Sequence, residues 1–207
     1  MVGIGNDSEM AIPRRLGADE SENHKTLLNA AQQLMIEEGY AAVTTRRVAA
    51  RAGLKPQLVH YYFASMDDLL LALVRRATTR SRDVFARALA SPKPLRALWE
   101  VSSDPDVTAL TTEMMALANH RKAVQKELAE GAKRLRRMQV DALSELLDQL
   151  GVTNDVIRPD ALLVVIASVS RVMVMEESLG VSTGHKNTLA MVEHFLTKLE
   201  GDPDIES

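Results

Sequence analysis

Long stretches free of glycine and proline, punctuated at a few points, constrain this chain more than any other feature of it. Neither residue occurs between Gly17 and Gly39, between Pro56 and Pro92, or between Pro159 and Gly180. Runs of that length suit helices joined by short connections. Hydrophobic residues make up 46% of the chain but aromatics only 3%. A core must therefore be built from Leu, Val, Ala and Met, and alanine and leucine are strong helix formers. The expected class is all-α.

The same reading excludes several kinds of function. With no cysteine in the chain, disulfide scaffolds, thiolate zinc sites and cysteine nucleophiles are ruled out. Met1 to Asp7 hold neither a basic nor an apolar signal region, so the expected location is cytoplasmic. The most apolar run, Ala161 to Met175, is too short to span a bilayer and is interrupted by Arg171. It reads as a buried helix, and no membrane partner is expected. There is no phosphate-cradling glycine motif, no HExxH and no Gly-x-Ser-x-Gly. His24, His60, His120, His185 and His194 are scattered singly. No catalytic residue, metal ligand or cofactor is predicted, and the chain does not read as an enzyme.

Periodicity and cap signals divide the rest. Residues 1–20 are polar and aperiodic and read as a flexible arm. A first helix runs from about Ser21 to Glu38, with Leu27, Ala31, Leu34 and Met35 on one face and Gly39 at its end. A short helix follows at about 45–52, capped by Thr44, with Val48, Ala49 and Ala52 inward. Gly53 turns the chain into a third helix, about 56–63, with Pro56 in its first turn and Val59 and Phe63 inward. Ser65 and Asp68 form a capping box for a fourth helix carrying Leu69, Leu70 and Leu73 and running to about Ala90. Further helices are expected near 94–102, 105–119, 121–150, 159–179 and 185–200. Gly131, inside the 121–150 helix, costs about 1 kcal/mol against alanine and predicts a kink or a close contact. The basic residues around it (Lys133, Arg134, Arg136, Arg137) read as a solvated face. Residues 201–207 read as a disordered tail.

Two short helices crossing after a glycine turn make a helix-turn-helix. Net charge is −3, which does not favour nucleic acid, but local charge matters more. From Val43 to Met66 the chain carries Arg46, Arg47, Arg51 and Lys55 and no acid. The segment Val43-Thr44-Thr45-Arg46-Arg47-Val48-Ala49-Ala50-Arg51-Ala52-Gly53-Leu54, then Leu58-Val59-His60-Tyr61-Tyr62-Phe63 and Ser65-Met66-Asp67-Asp68-Leu69, resembles the DNA-binding domain of the tetracycline-repressor (TetR) family.

The resemblance implies a role for each position. Thr44 would cap the second helix and meet a phosphate, with Thr45 beside it at the helix start. Arg46 would read guanine through paired bonds to O6 and N7. Gln57 would read adenine or a phosphate, Lys55 would add a phosphate contact, and His60, Tyr61 and Tyr62 would contact backbone and bases. Core packing is the competing reading of Tyr62. The chain departs from the family pattern at His60, where a tyrosine is usual, and at Met66, where a lysine is common.

The resemblance also implies the architecture: an N-terminal three-helix helix-turn-helix domain, 21–68, joined through the long fourth helix to a helical effector-binding and dimerisation domain, 69–200. It implies a homodimer formed through about 159–179 and 185–200, double-stranded operator DNA as partner, and a small apolar effector. The candidate effector lining is Trp99, Glu113, Met114, Leu117, His120 and Met138, although methionines at helical spacing are more often core. The expected function is a ligand-responsive repressor on a pseudo-palindromic operator. A TetR-like activator and a helical protein-binding adaptor are the alternatives.

Overall fold

The computed structural model describes residues 14–152 and 157–201, with side chains described from Glu22 onward. Among these the order is α1 (Arg14–Glu38), a 3-10 helix (Tyr40–Ala42), α2 (Thr45–Ala52), α3 (Pro56–Tyr62), α4 (Met66–Leu89), α5 (Pro94–Ser102), α6 (Pro105–His120), α7 (Lys122–Gln149), α8 (Pro159–Ser178) and α9 (His185–Glu200). No strand occurs among the described residues. Every helix expected from periodicity is present. α1 differs at its start: it begins at Arg14 rather than near Ser21. Its first turns carry helix formers such as Ala18 and Glu20, which sustain a helix without an apolar stripe, and periodicity cannot register such turns. Of the expected arm, residues 1–13 lie outside the described residues, as do residues 202–207 of the expected tail.

Two buried clusters hold the molecule together. The first joins α1–α4 to the end of α6 and the start of α7 through Leu27, Met35, Val48, Val59, Leu69, Leu73, Leu117 and Val124. The second joins the far half of α4 to α5, α7, α8 and α9 through Phe85, Leu95, Leu98, Leu143, Leu147, Leu163 and Leu196. Each such side chain removed from water contributes about 1.5–3 kcal/mol. α4 serves both clusters, Leu69 and Leu73 in one and Phe85 and Ala88 in the other, so it is the rod that connects them.

α7 runs alongside α4 in the same direction. Asp67 meets Arg121, Arg75 meets Glu127 at 2.8 Å, and Thr78 meets Gly131. Gly131 is buried, and a Cβ there would stand 2.9 Å from Thr78 Oγ1. Close helix approach, rather than a kink, is the reason for this glycine. Gly131→Leu is expected to wedge the two helices apart and cost about 1–3 kcal/mol of stability. A urea midpoint equal to that of the wild type would contradict this packing.

Polar contacts fix the remaining elements. Arg76 of α4 reaches α1, donating to Asn29 Oδ1, Leu28 O and Gln32 Oε1, each at 2.8 Å. Its burial among these neutral acceptors lowers its affinity for the proton below the ordinary guanidinium value. At the other end of the molecule Glu200 accepts from the backbone N–H of Leu95 (2.6 Å) and Arg96 (3.1 Å), capping α5 from α9. Arg96 in turn grips Glu193 with both terminal nitrogens, at 2.6 and 2.7 Å. The C-terminal helix is thereby pinned at its end, while much of its length stays exposed.

Candidate nucleic-acid interface

Local chemistry builds the helix-turn-helix. Thr44 is extended, and its hydroxyl accepts from Arg47 N at 3.4 Å, satisfying one of the free donors at the start of α2. Gly53 ends α2 at φ 67°, a left-handed conformation that favours glycine. Pro56 then opens α3, where its missing N–H is harmless. Val48 and Ala49 are fully buried and Val59 and Phe63 nearly so, which locks both helices onto α1 and α4. Ser65 accepts from Asp68 N at 3.2 Å and donates to its carboxylate at 2.8 Å, a variant of the expected capping box.

With the apolar side fixed, the opposite side is set. Thr44, Arg46, Lys55, Gln57, His60 and Tyr61 are exposed, Tyr61 to 65%, and Thr45 is half-buried. Gln57, His60 and Tyr61 share one face of α3 by their spacing. His60 is thus a surface residue rather than a core one. Tyr62 is half-buried against the first cluster and meets His24 and Tyr61 edge-on, with centroids 6.0 and 5.0 Å apart. Packing accounts for most of its surroundings.

The arginines of α2 divide into two kinds. Arg47 pairs with Glu38, and Arg51 with Glu37 (Nη1 to Oε1, 3.0 Å), both turned back onto α1. The hydrogen bond from Arg51 holds the Glu37 carboxyl below the usual carboxylate range. Among the described residues no acid pairs with Arg46 or Lys55, leaving both cations available to an anionic surface.

An open cleft of about 460 Å³ adjoins this surface. Tyr40, Val43, Thr44, Thr45 and Arg46 line it from the helix-turn-helix side, Met66 and Leu70 from α4, and Leu117 and Arg121 from the end of α6. Sequence reasoning missed Arg121, because it stands between two helices of the far half of the chain.

The six effector candidates do not converge. Met114 and Leu117 are buried in the first cluster, beneath the helix-turn-helix. The Glu113 carboxylate accepts from Tyr40 N at 2.7 Å, and Gly39, at φ 82°, leaves room for it: a Cβ there would stand 3.2 Å away. His120 stacks on the Tyr40 ring with centroids 6.2 Å apart. Glu113 and His120 thus both serve the turn before α2 instead of holding one polar group between them. Trp99 and Met138 lie in the second cluster, both half-buried. Glu113→Ala is expected to leave the Tyr40 N–H without its partner and to cost about 1–3 kcal/mol, read as a lowered midpoint in urea. An unchanged midpoint would show that water replaces the carboxylate.

Residues 27–73 match the family described as "Bacterial regulatory proteins, tetR family". The HTH-type transcriptional regulator BetI of Rhizobium meliloti (strain 1021) is 34% identical over 112 residues, which cover 52% of this chain and 55% of that protein. The chain therefore spans about half the length of this curated relative. A TetR transcription regulator from Haloarcula marismortui ATCC 43049 shares the fold with a TM-score of 0.64 at 21% identity, covering 86% of this chain and 98% of that one. A transcriptional regulator from Saccharomonospora viridis, solved in complex with choline, scores 0.63 at 20% identity, covering 75% and 85%. The matched motif folds as a helix-turn-helix: residues 27–73 are similar to the DNA-binding segment of the tetR family of bacterial regulatory proteins, and the chain shares the fold of these structures.

Proposed function

We propose that the chain binds a pseudo-palindromic operator as a homodimer, represses transcription there and is released by a small apolar effector. The observation that carries this reading is the acid-free outer side of α2 and α3. It offers Arg46 and Lys55, without ion pairs among the described residues, beside exposed Gln57, His60 and Tyr61. In this reading α3 enters the major groove, Arg46 and Gln57 touch base edges, and Thr44, Thr45, Lys55 and His60 hold phosphates. Tyr61 meets backbone and bases, with Tyr62 packing behind it. The reading head is 21–68, and 69–200 forms the body.

The dimer reading rests on α8 and α9. Val164, Val165, Val172, Met175, Leu189, Met191 and Phe195 are 43–55% exposed. Exposed apolar side chains in this number on two helices are what an interaction site offers, and a second copy of the same two helices would cover them in a closed, symmetric way. No helix of the described residues is long and apolar enough to cross a membrane.

For the effector, only Trp99 and Met138 of the six candidates belong to the second cluster, so they are the pair assigned to the pocket. Trp99 is the sole tryptophan, which makes its fluorescence a direct reporter. Choline, the ligand of one structural neighbour, and a medium-chain fatty acid are the first two probes. A saturable change in Trp99 emission with either one, together with release of bound duplex, supports the pocket. Duplex release without any Trp99 response would place the effector elsewhere.

DNA binding itself is tested by titrating the protein into a random-sequence duplex over a series of salt concentrations. The expected result is a linear fall of log K with log salt, the signature of counterion release. Absence of salt-dependent binding would favour the helical adaptor reading.

A further inference from the structure

The cleft beside the helix-turn-helix holds a cation that the reading head does not supply. Arg121 sits between α6 and α7, yet it lines the same opening as Thr44, Thr45 and Arg46. Val43, Leu70 and Leu117 form a buried apolar floor beneath these polar groups. Two arginines, one from each side of the cleft, thus line an opening edged by two threonine residues. We propose that Arg121 contacts an operator phosphate at this cleft, a DNA contact delivered from outside the helix-turn-helix. This rests on the DNA-binding reading above.

The ion pair with Asp67 does not oppose the assignment. Its two side chains are 45% and 49% exposed, and exposed pairs are weak. A guanidinium has five donors, so Arg121 can hold Asp67 and a phosphate at once. Asp67 then positions the guanidinium at the cleft and also dilutes its charge. The contact has a mechanical consequence. Arg121 follows the last residue of α6 directly, so a shift of α6 against the head would withdraw a phosphate ligand.

The test uses the full-length protein and an operator duplex selected by the wild type. Arg121→Gln is expected to weaken binding to specific and random duplexes alike, with unchanged base preference. The slope of log K against log salt should flatten by about 1.8, about 0.9 for each protomer. Asp67→Asn should act in the opposite direction and tighten binding, and the gain should shrink when both substitutions are combined. Circular dichroism confirms folding of each variant. If Arg121→Gln leaves slope and affinity at wild-type values, the proposal is wrong. If affinity drops with the slope unchanged and the melting temperature lowered, Arg121 is a latch between α4 and α7 and the proposal also fails. Should the wild type itself bind no duplex, the reading of function falls instead.

Discussion

Val172→Glu is expected to convert the protein to a monomer and to lower operator affinity by about 100-fold or more, because linked half-site binding is worth about 10²–10⁴ in affinity. Val172 is 52% exposed, in register with Val165, Ser168 and Met175 along one side of α8. Packed against its copy in a partner, it would leave the glutamate carboxylate buried without a cation, a costly arrangement. The neighbours that keep α8 folded, Leu163 and Ser170, lie on the buried side, so the isolated chain should retain its helicity. Sedimentation gives the oligomeric state and fluorescence anisotropy the affinity. A monomer that binds the operator as tightly as the wild type would show that dimerisation is not what supplies the affinity. A variant that stays dimeric would move the interface elsewhere.

Arg46→Ala should cost about 1–3 kcal/mol of operator binding and relax the preference at one base position. The contrast with the adjacent arginine sharpens this expectation. Arg47 is drawn back to Glu38 on α1, so Arg47→Ala should leave base preference untouched. Arg46 has no such acid among the described residues and stands at the exposed start of α2. Competition binding against operators changed one base pair at a time separates the two. Equal effects from both substitutions would mean that Arg46 acts as general positive charge and reads no base.

Much of this fold is legible in the sequence. Thr44, Gly53, Pro56 and the Ser65–Asp68 pair mark element ends by chemistry that acts within a few residues, and the chain obeys each of them. Val48, Ala49, Val59 and Phe63 point inward because helical spacing fixes their side. Other features lay beyond local rules. The 3-10 helix at Tyr40–Ala42 depends on a carboxylate from α6, far away in sequence. The closeness of Gly131 to Thr78 was readable only as one of two outcomes.

The effector candidates show the limit most clearly. Spacing assigns Met114, Leu117 and His120 to faces of α6 without saying what covers them. The end of α6 packs under the reading head, so those residues became floor and support there, leaving Trp99 and Met138 apart in the other cluster. The same displacement brings Arg121 to the edge of the candidate interface, where no motif would have placed it.

Selecting binding sites for the purified protein from a random duplex pool decides whether the protein is a dimeric reader of operator DNA. The expected product is a pseudo-palindrome whose half-sites lie about one helical turn apart. A folded dimer that enriches no sequence at low salt would contradict it and point to a protein-binding helical module.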